Sequence, residues 1–183
     1  MNLDIKIKKN IENAQMLIKE KKFNEAILVL KDNLKISKNN FETYFLLGTI
    51  NGLKNDMSLA ELYLEEAIQI NPQHINTILN LAIISKKLGK IDQSIEYFKR
   101  LQELDCKNVN CLCGLAQIYD EKGDYIKAEE YFKNAINIDQ SHHVANHGYG
   151  KLLLKLNKHY HGLKLLEKAS GMIKFKKNVI EII

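Results

Sequence analysis

Small residues recur along this 183-residue chain at a fixed interval: Ala14, Gly48, Ala82, Ala116 and Gly150 each lie 34 positions after the one before. A second series stands twelve residues further on, at Ala26, Ala60, Ser94, Ala128 and Gly162. Four residues after each of those comes a large apolar side chain, Leu30, Leu64, Phe98, Phe132 and Leu166. A fourth series holds Ala67, Ala135 and Ala169, with Asn33 and Leu101 as its exceptions. Alanine, glycine and serine make up roughly one residue in seven, so ten small residues on two preset series arise by chance with a probability on the order of 10⁻⁹. The chain is an array of equivalent units.

Helix packing accounts for the alternation of small and large. A residue without a long side chain lets two helix backbones approach, and a bulky apolar residue one turn later fills the groove beside the contact. Within each unit the apolar residues follow a 3.6-residue period, as in Tyr44, Leu47, Gly48 and then Leu59, Leu62, Tyr63, Ala67, Ile70, which predicts two amphipathic helices, A and B. Breaks fall where this needs them. Gly89 and Gly123 separate A from B in the third and fourth units through the left-handed conformation open to glycine. Asn71-Pro72 closes the second unit. Polar residues at Asn39-Asn40, Asp105 to Asn108 and Asp139 to Ser141 offer oxygens to cap the next helix.

Composition agrees with an all-α chain. Only Pro72 represents proline, and hydrophobic residues at 45% with charged ones at 27% lie in the ordinary globular range. The net charge of +5 comes from lysines interspersed with acids, with Arg100 the single arginine. That pattern lacks the clustered, arginine-bearing face of a nucleic-acid binder. No apolar run is long enough for a bilayer and the first ten residues do not read as a secretory signal. Three cysteines, Cys106, Cys111 and Cys113, are an odd and clustered set that suits a reducing compartment, so the cytoplasm is expected.

The units resemble the tetratricopeptide repeat, W-x2-L-G-x2-Y followed by A-x3-F, A and P. The fourth carries Leu112, Leu115, Ala116, Tyr119, Gly123, Asp124, Tyr125, Ala128, Phe132 and Ala135; the second carries Tyr44, Leu47, Gly48, Ala60, Leu64, Ala67 and Pro72. The resemblance implies a right-handed superhelical solenoid of antiparallel helix pairs, with repeats at 7–40, 41–74, 75–108, 109–142 and 143–176 inside residues 1–176. Residues 177–183 are left as a C-terminal cap or the start of a following segment, and the apolar tail from Phe175 to Ile183 suits part of a capping helix. Asn10 and Asn13 replace apolar residues in the first helix A, as expected of an end unit facing solvent. Gly148, Gly150 and Gly162 each lower helix propensity by about 1 kcal/mol relative to alanine, so the fifth repeat is expected to be the least rigid.

The resemblance also implies a use. In the family helix A lines a concave groove, which maps here onto Phe45, Leu46, Thr49, Asn76, Leu79, Asn80, Ile83, Asn110, Gln117, His147 and Lys151. Amides and hydroxyls both donate to and accept from a peptide backbone, while Phe45, Leu46, Leu79 and Ile83 either anchor a side chain or pack against the neighbouring repeat. A clamp for a C-terminal carboxylate is not expected, because Ile11, Phe45, Leu79, Cys113 and His147 occupy the positions where such a clamp places cations and amides. Lys86 and Lys87 facing Asp120 and Glu121 suit a solvated rim better than a bridge between repeats.

Neither Cys106, Cys111 and Cys113, at C-x4-C-x-C spacing, nor His143 with His147 one turn on makes a convincing metal set. Tyr119, Tyr125 and Tyr131 read as packing between helices A and B. With no phosphate loop, nucleophile elbow or carboxylate pair, the expectation is a non-enzymatic scaffold or adaptor without cofactor. It would bind a peptide segment of a partner protein, and neither nucleic acid nor a membrane. The alternatives are the docking or regulatory arm of a larger enzyme, a transferase or hydroxylase with its catalytic domain beyond Ile183, and a scaffold that self-associates through its apolar tail.

Overall fold

The computed structural model describes residues 3–171, 173–176 and 179–182. Within these residues ten helices carry the repeat: α1 (Leu3–Lys19), α2 (Phe23–Ile36), α3 (Phe41–Leu53), α4 (Met57–Ile70), α5 (Ile75–Lys87), α6 (Ile91–Leu104), α7 (Val109–Glu121), α8 (Tyr125–Ile138), α9 (His143–Lys155) and α10 (His159–Ser170). Odd-numbered helices are the A helices and even-numbered ones the B helices. They form two compact units, Met1–Tyr97 and Phe98–Ile183, with the boundary inside α6. No helix among the described residues is long and apolar enough to cross a membrane.

The spaced series meet one another in the cores. In the first unit Ala14, Ala26 and Leu30 share one solvent-free cluster with Leu47 and Ile50. A Cβ on Gly48 would stand 2.5 Å from Leu64 Cγ and 3.2 Å from the Ala60 carbonyl oxygen, so α3 and α4 cross more closely than alanine permits. Ser94 keeps the pattern because its hydroxyl donates to the Ala82 carbonyl at 2.7 Å. In the second unit Ala116, Ala128, Phe132 and Leu152 cluster together, and the Phe132 ring occupies the space a side chain at Gly148 would need. Gly150 and Gly162 face each other: a Cβ on either would lie 2.9 or 2.8 Å from the other's carbonyl oxygen. Of the three glycines that weaken helix propensity in the fifth repeat, Gly150 and Gly162 let α9 and α10 touch and Gly148 makes room for Phe132 of α8.

Turn chemistry repeats with the same period, more fully than composition suggests. Gly89 and Gly123 have φ of 77° and 79°, and Lys21, Asn55 and Asn157, at the same step of 34, adopt φ of 60°, 65° and 59°. Every A-to-B turn therefore uses one left-handed residue, whatever its identity. Lysine has no compensation for that conformation, which costs a non-glycine residue about 1 kcal/mol. Lys21→Gly is expected to raise stability by about 1 kcal/mol in denaturant titration, and Asn55→Gly by less, since asparagine tolerates the region. The A-helix caps follow the same register. Asn40, His74, Asn108 and His142 accept from the backbone N–H of Thr43, Thr77, Cys111 and Ala145.

Two expectations are corrected. Asn10 does not mark a solvent face: half-buried, it donates to Asn33 Oδ1 at 2.8 Å. Asn33 in turn donates to the Ile7 carbonyl at 3.2 Å and to Thr43 Oγ1 at 3.3 Å. Asn33 and Thr43 are fully buried, so the exception in the fourth series and the substitution in the first helix A satisfy each other at the junction of two repeats. Asn13 is exposed. After α10, Gly171 closes the helix in the left-handed region, and the backbone continues not as a capping helix but as an antiparallel pair, β1 (Ile173–Lys176) with β2 (Val179–Ile182), Phe175 opposite Ile180. The rest of the 177–183 tail, residues 177, 178 and 183, lies outside the described residues.

Candidate functional site

On the A-helix side of the first unit, α3 and α5 run side by side and Asn80 Nδ2 donates to Thr49 Oγ1 across them at 3.4 Å. Thr49 is itself fixed by donating to the Phe45 carbonyl at 2.8 Å. Around this pair is a cavity of about 140 Å³, walled by Gly52, Leu53 and Ile83 and edged by Lys87. Ile83 is 39% exposed and Leu53 60%. Two aliphatic side chains thus stay accessible beside an amide and a hydroxyl. Asn76 is exposed and Leu79 half-buried on the same helix.

Phe45 and Leu46 also contact the cores. Phe45 packs against the cluster of Ala60, Leu64, Leu81 and Ile84, and Leu46 against that of Ala14, Leu30 and Ile50. Both are half-buried, so each packs on a core cluster with one side and keeps part of its surface accessible. Gly52 and Leu53 stand 34 positions before Lys86 and Lys87, so the cavity wall continues the repeat steps read from the sequence as a rim.

An aromatic cluster at the start of the groove had no sequence signal. The Phe41 and Phe45 rings stack with centroids 5.9 Å apart, and the His74 ring meets them edge-on at 4.7 and 5.0 Å. His74 Nδ1 caps α5 by accepting from the Thr77 amide at 3.2 Å, which requires the neutral ring. Burial lowers its pKa below the usual 6.5. The unfolded chain therefore binds a proton at His74 more readily than the folded one, so its contribution is complete above about pH 6.5 and is lost as pH falls through the folded value. His74→Asn keeps an acceptor at the cap without a titrating group. Its unfolding midpoint is expected to fall less than the wild type's between about pH 7 and about pH 5.

In the second unit Asn110, His147 and Lys151 are exposed and Gln117 is half-buried. The His143 and His147 rings lie parallel, 6.1 Å apart. Asp120 pairs with Lys155 of the next A helix at 2.6 Å. Tyr119 and Tyr131 stack at 5.6 Å between α7 and α8, as their spacing implied, whereas Tyr125 is exposed beneath the Lys155 ammonium. Cys111 and Cys113 are buried, Cys106 is exposed, and all three are free thiols. Burial pushes the Cys111 and Cys113 thiols up to about 12, and Cys111 Sγ donates to the Phe98 carbonyl. They behave as small core residues. Among the described residues no three His, Cys, Asp or Glu side chains are grouped to hold a metal ion.

Comparison with known proteins gives one consistent result. Tetratricopeptide repeat models match residues 74–141 and 41–74, together more than half of the chain. No curated protein matches the sequence significantly. Among solved structures, MamA from Desulfovibrio magneticus RS-1 superposes with a TM-score of 0.78 at 16% identity, over 91% of this chain and 94% of that one. The pilF protein of Pseudomonas aeruginosa gives 0.79 at 12% identity, over 97% and 80%. YrrB, described as a TPR protein with an unusual peptide-binding site, gives 0.70 at 17% identity, over 93% and 92%. At such identities the likeness is one of fold. With the 34-residue series, the ten helices and two family models in agreement, the chain belongs to the tetratricopeptide repeat family.

Proposed function

We propose that the groove between α3 and α5 holds a segment of a partner protein, making this chain a non-catalytic scaffold or adaptor. Repeats of this family form protein-interaction modules, and the structural relative YrrB is itself described as binding peptide. The observation that carries the reading is the cavity at Thr49 and Asn80. Its walls accept one aliphatic side chain, and its amide and hydroxyl match the donors and acceptors of an extended backbone. Asn76 and Leu79 extend the same face, and in the second unit Asn110, Gln117, His147 and Lys151 are the corresponding surface. Three free cysteines support a reducing compartment such as the cytoplasm.

The test uses the exposed wall of the cavity rather than Phe45, whose loss would disturb the core. The wild-type chain and the Asn80→Lys, Ile83→Glu double variant are each panned against displayed random peptides. Peptides enriched by the wild type are expected to be lost on the variant, with both proteins melting at the same temperature. Equal retention on the variant would refute the groove.

A further inference from the structure

We infer that the second unit carries another binding site, on its B-helix side, for a peptide segment that presents a carboxylate beside an aromatic or aliphatic side chain. A cavity of about 430 Å³ lies between α8 and α10 and opens to solvent, within the size range of ligand sites. Tyr149, Leu153 and Leu165 give it an apolar wall, and Lys133, Lys158 and Lys164 bring three ammonium groups to it, with His161 beside them.

Repeat stacking does not require cations at Lys158 and Lys164. Three periods of 34 earlier, the equivalent crevice of the first unit is lined by Lys31, Asn51, Lys54, Asp56, Leu59 and Tyr63, so it keeps a lysine, Lys31, at the step of Lys133. Asp56 there corresponds to Lys158, Leu59 to His161, and the neighbouring Leu62 to Lys164. Relative to that crevice, one acid and one leucine are replaced here by lysines and a second leucine by histidine.

Their charge is not cancelled. Lys133 and Lys158 both reach Glu129, at 2.9 and 3.1 Å, and Tyr149 donates to the same carboxylate at 2.9 Å. Hydrogen bonds from Lys133, Tyr149 and Lys158 hold the Glu129 carboxyl down to about 2 against the opposing effect of burial. It therefore stays ionised at neutral pH and keeps both ammonium groups at the cavity. Lys164 pairs with Glu167 at 3.1 Å. Three lysines against two carboxylates leave one positive charge next to an apolar wall, which complements a carboxylate flanked by an apolar group. An open crevice between helices admits a passing chain, which favours a peptide segment as the occupant.

The test is an NMR titration of the whole isotope-labelled chain with a blocked peptide alternating Phe and Glu, and with its Phe and Gln counterpart. The acidic peptide is expected to shift the amides of Leu153, His161 and Leu165 and to bind at least tenfold more tightly than the neutral one. Lys158→Gln with Lys164→Gln should weaken it at least tenfold without changing the melting temperature, while Asn80→Lys with Ile83→Glu should leave it unchanged. That last arm separates this site from the groove of the first unit. Equal binding of the two peptides, wild-type affinity in the lysine variant, or shifts confined to the A-helix face around Asn80 and Lys151 would overturn the inference.

Discussion

Replacing Phe132 with alanine is expected to destabilise the second unit by about 4 kcal/mol, measured by denaturant unfolding. The side chain is 1% exposed and shares its cluster with Ala116, Ala128 and Leu152. Its ring fills the place left open by Gly148 and stacks on Tyr149 at 6.1 Å. Ala116, Ala128 and Gly148 beside it carry too little side chain to reach into the void. Phe132→Leu retains most of the volume and is expected to cost roughly a third as much. A loss below about 1 kcal/mol for the alanine variant would mean that the series of large residues is incidental to the packing.

Gly162→Val is expected to cost about 3 kcal/mol, although valine has the better helix propensity. A Cβ at this position would stand 2.8 Å from the Gly150 carbonyl oxygen and 3.0 Å from Leu154 Cδ2. Backbone oxygen cannot rotate aside as a side chain can, so α9 and α10 would have to separate. Gly123 offers a contrast. A Cβ there would meet nothing within 4 Å, but φ is 79°, so the cost of Gly→Val arises from backbone conformation rather than collision. A neutral or stabilising Gly162→Val would show that the small series reflects composition instead of helix contact.

The series that reported the fold directly were those whose residues do one thing. Ala26, Ala60 and Ala128 are small because a helix crosses them, and their spacing alone exposed the architecture. Positions with alternative solutions were harder to read. A left-handed turn is announced by Gly89 and Gly123 but hidden at Lys21, where the surrounding helices impose it. A cap is announced by Asn40 and Asn108 but hidden at His74 and His142, because imidazole is seldom a capping group. Asn33 and Asn10 looked like separate departures, and only their distance in space shows that one satisfies the other.

The groove was legible as a face and not as a site. The repeat register places Thr49, Asn80 and Ile83 on one side of their helices, but which of the neighbouring apolar residues is spent on packing depends on side-chain direction in the next repeat. Phe45 and Leu46, each half-buried, pack against the core clusters, and Leu53 and Ile83 remain exposed. The difference decides which substitutions test binding and which merely unfold the chain.

The claim that the groove of the first unit grips a partner segment is tested most directly by calorimetric titration of a peptide selected on the wild-type chain into the wild type and into the Asn80→Lys, Ile83→Glu variant. Binding should weaken at least tenfold, about 1.4 kcal/mol, while thermal unfolding of the two proteins coincides. An unchanged dissociation constant in a variant of unchanged stability would contradict it.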